Sequence, residues 1–280
     1  MASYDTLAVP PPFATKYIDT GDLVLHCLHS GPTTLPGEIP PFDRGALFVL
    51  LHGGGRNAGD WKRQLSGLGE RHSVVAVDLP GHGRAPGIDG LATVEAYADV
   101  AGGFVGTVAR RRCVLVGWSM GACVALVEAV RHPERYAGLV LIGGRSCWRP
   151  EPSALEPFHD VVRGRRSQSF DTQLFSPATQ MDVMREAWME QVTTDPGVLY
   201  GDLLAGACFD GDALLAKVAI PTLVIHGADD KVVPVETARE IAGAIRGARL
   251  EIVPDAGHIV QLEQAERVNA LLATFAESLG

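Results

Sequence analysis

A serine framed by glycines, Gly117-Trp118-Ser119-Met120-Gly121, follows a short apolar run and opens a stretch rich in Ala and Val. In a strand–turn–helix context this G-x-S-x-G pattern puts the serine on a sharp turn, with its hydroxyl lifted above a sheet. The chemistry open to such a serine is attack on a carbonyl, once a base takes its proton. A helix beginning just behind it favours negative charge at its N-terminus. With 32 glycines in the chain the pattern alone says little. The apolar run before it and the helical stretch after it carry the reading.

Nine histidines could supply the base. His258 closes Asp255-Ala256-Gly257-His258, directly after an apolar run at 250–253, which places it on the carboxyl edge of a parallel sheet together with Ser119. His82, in Gly81-His82-Gly83, is a rival on another such loop, but the chain order Ser…Asp…His selects His258. The orienting acid is expected from Gly227-Ala228-Asp229-Asp230, where either carboxylate could hold the imidazole. The turn after the run at 139–142 reads Gly143-Gly144-Arg145 and offers no carboxylate. His52-Gly53-Gly54-Gly55 can aim backbone N–H groups at a developing oxyanion, and Met120, just after the nucleophile, offers the second N–H. His52 itself reads as structural, because the end of its strand points it into the loop network.

The elements that must position these residues are visible in the apolar pattern. Short uninterrupted runs at 46–51, 73–77, 113–116, 139–142, 222–225 and 250–253 suit parallel strands buried on both faces. Two further strands are expected at 16–19 and 23–28, after a loose lead-in over 1–13, with a Pro- and Gly-rich loop over 30–45. Helical stretches at 94–109 and 122–131 alternate with the runs, which implies an α/β fold: a mostly parallel, doubly wound sheet with helices on both faces. The rhythm breaks after 142, where helix-like segments such as 181–193 replace strands until 222. This predicts a helical insertion at 145–217 between core segments 1–144 and 218–280.

A length of 280 residues suits one α/β domain with such an insertion. The net charge of -9 and the scattered Lys and Arg argue against a nucleic-acid partner. The short run Arg163 to Arg166 is too small to change that, and Arg110, Arg111 and Arg112 are expected at a helix end, complementing its dipole. There is no basic n-region before an apolar stretch and no membrane-length apolar run, so a cytoplasmic protein without a membrane partner is expected. The five cysteines, Cys27, Cys113, Cys123, Cys147 and Cys208, show no C-x-x-C spacing and read as reduced thiols. No metal and no cofactor are expected, since H-E-x-x-H, dinucleotide and Walker patterns are absent.

From about residue 20 to 278 the chain resembles the α/β-hydrolase superfamily, in its capped group of carboxylesterases, lactonases and ring-cleavage-product hydrolases. The resemblance rests on the serine elbow, the glycine loop, Gly227 to Pro234, Gly257-His258 and Asp78-Leu79-Pro80-Gly81-His82-Gly83-Arg84, which is similar to the D-x-x-G-H-G turn. It implies Asp230 as the acid, Gly54 as an oxyanion donor and the insertion as a helical cap. Ring-cleavage hydrolases usually carry an aromatic soon after the histidine, whereas Ile259-Val260-Gln261-Leu262 stands here. The expected activity is hydrolysis of an ester or related acyl bond in a small, largely apolar substrate. A lactonase or carbon–carbon hydrolase is the alternative, and a slowly turning-over small-molecule receptor is the rival from another class. Trp148, Phe158, Phe170, Phe175, Met181, Met184, Trp188, Met189, Tyr200 and Phe209 in the insertion suggest an apolar pocket, and Trp118 and Met120 flank the nucleophile. Trp118, Trp148 and Trp188 are the candidate substrate contacts. Nothing clusters Arg or Lys as a phosphate or coenzyme A handle.

Overall fold

A computed structural model describes residues 13–87 and 89–280. The lead-in expected over 1–13 lies, apart from Phe13, outside the described residues.

Eight strands form one sheet: β1 (Ala14–Asp19), β2 (Val24–His29), β3 (Leu47–Leu51), β4 (Ser73–Val77), β5 (Cys113–Trp118), β6 (Tyr136–Ile142), β7 (Thr222–Gly227) and β8 (Arg249–Val253). Their order is β1-β2-β4-β3-β5-β6-β7-β8. β1 and β2 pair antiparallel, as do β2 and β4, and every other pairing is parallel. The parallel strands need crossovers, and helices supply them: α1 (Lys62–Leu68), α2 (Val94–Val108) and α3 (Met120–Arg131). Strand alternation splits the core in two. Leu47, Val49 and Leu51 of β3 pack toward α2 and α3, while Phe48 and Leu50 pack toward α1 and the C-terminal helices. Both faces of β3, β4 and β5 are therefore buried, which is why they read as continuous apolar runs. Each such Leu or Val, fully buried, stabilises by about 1.5–3 kcal/mol. β8 is an edge strand and stays partly exposed.

Several strands outrun their apolar signal. β5 continues through Gly117 and Trp118, and β6 begins at Tyr136, before Gly138 interrupts the pattern. Gly138 is used for packing, since a Cβ there would meet the Phe275 ring at 2.8 Å. The arginine run is a correction. α2 ends at Val108, and the Arg111 and Arg112 guanidiniums donate to the carbonyls of Gly45 and Tyr136 rather than capping the helix. All five cysteines are free.

Between β6 and β7 the chain leaves the sheet and forms α4 (Glu156–Val162), α5 (Met181–Gln191), α6 (Pro196–Cys208) and α7 (Asp212–Leu215). Arg63 pairs with Glu186 at 2.7 Å and Asn57 donates to Thr193 at 2.9 Å, so this segment is fastened over the loop that follows β3. The fold closes with α8 (Val235–Ala244), α9 (Val260–Glu263) and α10 (Ala265–Glu277). Among the described residues no helix is long and apolar enough to cross a membrane.

Candidate active site

Ser119 stands between β5 and α3 at φ 54°, ψ -116°, backbone that a non-glycine residue adopts only under strain of about 1–3 kcal/mol. The flanking glycines make the turn possible. A Cβ on Gly117 would meet the Gly121 carbonyl oxygen at 2.0 Å, and one on Gly121 would meet the Leu51 carbonyl oxygen at 2.4 Å. With no room between strand and helix, the serine side chain is turned up from the sheet. The Ser119 N–H donates to the Ile142 carbonyl at 2.9 Å, which fixes the elbow to β6.

His258 comes to Ser119 from the loop after β8. Its Nε2 lies 3.0 Å from Ser119 Oγ and its Nδ1 lies 2.8 Å from Asp230 Oδ2. That network assigns the proton to Nδ1 and leaves Nε2 to accept from the serine. The His258 ring is held through its own backbone: its N–H donates to the Leu174 carbonyl at 2.8 Å and its carbonyl accepts from Trp118 Nε1 at 2.8 Å. Asp230 Oδ1 accepts from the Val232 and Val233 amides, each at 2.8 Å. Burial works to raise the Asp230 carboxyl. The hydrogen bond and charge of His258, with the Val233 amide and His226, outweigh it and hold the group below the ordinary 3.8. Of the two carboxylates in this loop, Asp230 is the one that meets the imidazole. Asp229 Oδ2 instead accepts from the Ser176 hydroxyl at 2.6 Å.

The glycine loop lies against Ser119. A Cβ on Gly53 would touch the Trp118 ring at 3.0 Å and Ser119 Cβ at 3.2 Å. Among the described residues, neither the Gly54 nor the Met120 amide has a hydrogen-bond acceptor. His52 is a brace: Nδ1 donates to the Gly53 carbonyl at 2.8 Å and Nε2 accepts from the Leu79 amide at 3.1 Å. Burial drives its pKa from 6.5 down to about 4, with His82 adding to the shift, so it is neutral at pH 7.

His82 is wholly buried, and neither of its ring nitrogens is bonded to Ser119. Nδ1 meets the Pro80 carbonyl at 3.0 Å and Nε2 meets Asp202 Oδ2 at 2.7 Å. Asp202 reaches down from α6, takes the Gly55 amide at 2.8 Å and accepts from the Tyr97 hydroxyl at 2.6 Å. Nothing local in the sequence marks Asp202, since its partners lie more than a hundred positions away.

A cavity of about 560 Å³ opens beside Ser119 and His258 under the inserted segment. A second chamber of about 200 Å³ adjoins it, sharing Ser119, Phe158, Asp202, Leu203 and Val232. Phe158 and Phe170 line the large cavity, whose wall is mostly apolar with a polar stretch at Arg56, Arg166, Gln173 and Gln191. Arg56 is neutralised by Asp60, its Nε lying 2.8 Å from Asp60 Oδ2. Trp118 lines the large cavity and Trp148 the small one. Trp188 lines neither among the described residues and packs edge-on behind Phe170, with ring centroids 5.6 Å apart. Phe175 is core, whereas Met181 and Met189 are 75% and 56% exposed.

The alpha/beta hydrolase family model matches residues 48–271. The chain is 30% identical to a pimeloyl-[acyl-carrier protein] methyl ester esterase from Nitrosomonas europaea, over 79% of this chain and 92% of that protein. It is 25% identical to a 2-hydroxy-6-oxo-6-phenylhexa-2,4-dienoate hydrolase from Comamonas testosteroni, over 92% of each. A malate-bound thermophilic esterase from Thermogutta terrifontis superposes with a TM-score of 0.78 at 25% identity, covering 95% of this chain and 98% of that one. The chain belongs to the alpha/beta hydrolase family.

Proposed function

We propose that the protein is a serine hydrolase that cleaves a carboxylic ester or related acyl bond of a small substrate. Ser119 is the nucleophile, His258 the general base and acid, and Asp230 the group that orients the imidazole. The observation that carries this reading is the relay Ser119 Oγ–His258–Asp230, with spacings of 3.0 and 2.8 Å, opening on a cavity.

His258 Nε2 takes the Ser119 proton as Oγ bonds to the substrate carbonyl carbon. The Gly54 and Met120 amides receive the oxyanion, each worth about 3 kcal/mol of barrier. His258 returns the proton to the departing alkoxide, leaving an acyl-serine. Water then repeats the sequence, giving up a proton to Nε2 and releasing the acid. The segment between β6 and β7 acts as a cap that shapes the cavity. These residues need neither a metal nor an organic cofactor for that chemistry.

The esterase relatives from Nitrosomonas europaea and Thermogutta terrifontis support the ester reading. The Comamonas testosteroni relative supports a second one, cleavage of a carbon–carbon bond next to a ketone, and the polar wall around Arg56 and Gln191 suits such a substrate. The test is labelling of Ser119 by an organophosphonate, followed by turnover of a series of acyl esters, lactones and a ring-cleavage product. Labelling together with multiple turnover of esters is expected. Labelling without turnover of any of them would favour a receptor, and no labelling would remove Ser119 from the role.

A further inference from the structure

The large cavity and the small chamber meet at Ser119, but they are not equivalent. His258 lines only the large one, and the group that departs must lie within reach of His258 to receive its proton. On the acyl-transfer reading, the leaving group therefore occupies the large cavity and the acyl group enters the small chamber.

That chamber holds a cation. Arg145, at the carboxyl end of β6, lies half-buried in its wall with its guanidinium 5.0 Å from the centre of the Trp148 ring. One of its five N–H groups is used, donating from Nη2 to the Val232 carbonyl at 2.8 Å. No carboxylate pairs with it among the described residues, unlike Arg56, which has Asp60. Burial works against its charge, the field of Asp230, whose oxygens are already taken by His258 and the Val232 and Val233 amides, only partly offsets that, and a guanidinium keeps its charge. A half-buried cation with unused donors in a cavity wall costs free energy unless an anion completes it. The rest of the chamber, with Met120, Cys123, Leu203 and Phe209, is mostly apolar.

We propose that Arg145 anchors a free carboxylate at the far end of the acyl group, so that preferred substrates are half-esters of short dicarboxylic acids. This rests on the hydrolase reading above. A single planar cation suits a carboxylate, which it can grip with two parallel N–H groups. A phosphate dianion would lack a second cation, since Arg145 is the one Lys or Arg lining the chamber among the described residues.

The test compares ethyl hydrogen glutarate and ethyl hydrogen adipate with ethyl butyrate and ethyl pentanoate, followed by pH-stat. The wild-type protein is expected to prefer the charged esters in kcat/KM. Arg145→Gln should cut that preference by about tenfold to a hundredfold, the worth of a charge-assisted hydrogen bond. The loss should fall on KM, because the carboxylate is gripped equally before and during reaction. Arg145→Met, which keeps the stem over Trp148, should behave alike if Arg145→Gln folds poorly. Calorimetry of glutarate with Ser119→Ala reads the site without turnover, and binding should vanish when Arg145→Gln is added. Equal preference in wild type and both variants, or glutarate binding that ignores Arg145, overturns the proposal. Intact Arg145-dependent glutarate binding with no ester turnover and no labelling of Ser119 supports the site and overturns the hydrolase reading.

Discussion

Two buried histidine–aspartate pairs flank the glycine loop, and their local chemistry is almost the same. His258 meets Asp230 at 2.8 Å and His82 meets Asp202 at 2.7 Å. The difference is in the second ring nitrogen. In His258 it faces the Ser119 hydroxyl at the cavity, whereas in His82 it is spent on the Pro80 carbonyl. The carboxylates differ in the same way. Asp230 takes two amides of its own loop, while Asp202 ties α6 to the Gly55 amide and the Tyr97 hydroxyl. One pair has a free basic site and the other has none, so one can move a proton and the other can only hold a loop. Burial and pairing by themselves do not distinguish a base from a brace.

The comparison breaks most easily at Ser119. Ser119→Ala should lower ester turnover by several orders of magnitude, as deletions in such triads do, and abolish phosphonate labelling. Near-normal turnover would remove the chemical distinction between the two pairs. Asp230→Asn should keep the fold and slow turnover by roughly three to four orders of magnitude, because Asn favours the wrong imidazole tautomer. Its carboxyl is held low by His258, so the stability it adds is present above the ordinary 3.8 and is lost as pH falls through its depressed folded value. Circular dichroism of the variant at neutral pH separates misfolding from lost chemistry.

Asp202→Asn should cost less, about ten- to a hundredfold in kcat, since it loosens the loop carrying Gly54 without touching the proton relay. KM for a neutral ester should change little, while affinity for a trifluoromethyl ketone, which needs the oxyanion donors, should fall with kcat. Equal losses in KM and kcat would make Asp202 a general packing residue. His52, whose ring lies tilted against His82 with centroids 4.6 Å apart, sharpens the brace side of the comparison through stability. Its pKa falls from 6.5 to about 4 on folding, so the unfolded chain binds its proton first. Stability should therefore drop as pH falls from 6.5 towards 4, by on the order of 3 kcal/mol for this group, and level off below. Urea midpoints across that range should slope less in His52→Asn, and an unchanged slope would argue against a buried neutral imidazole. The smallest effect is expected at Asp229. Its bond to Ser176 is away from the imidazole, and Asp229→Asn should stay within about tenfold of wild-type turnover.

What the sequence disclosed followed from locality. Ser119 and His258 sit in short motifs whose neighbours already dictate a strand end, and β3, β4 and β5 are apolar without a break because both faces are covered. The choice between Asp229 and Asp230 was not local, since it depends on which side chain faces a loop 28 positions later. Asp202 and Arg145 escape a sequence reading for the same reason: one is defined by Gly55 and Tyr97, the other by a chamber wall assembled from the loop after β6, α3 and α6. Trp188 is a fair candidate by residue type, yet Phe170, which it packs against, lines the cavity in its place.

The bond from the His258 N–H to the Leu174 carbonyl has a consequence for traffic through the cavity. The inserted segment grips the His258 main chain at one end and, through Asp202, the glycine loop at the other. Swinging that segment outward as one rigid body would unseat His258 and the glycine loop together, so on the proposed reading an open form of that kind would be a disarmed one. Phe158 and Leu203, which line both the cavity and the chamber, can shift without loosening either grip. Transplanting the segment from a relative would carry its fastenings, or their absence, along with its specificity.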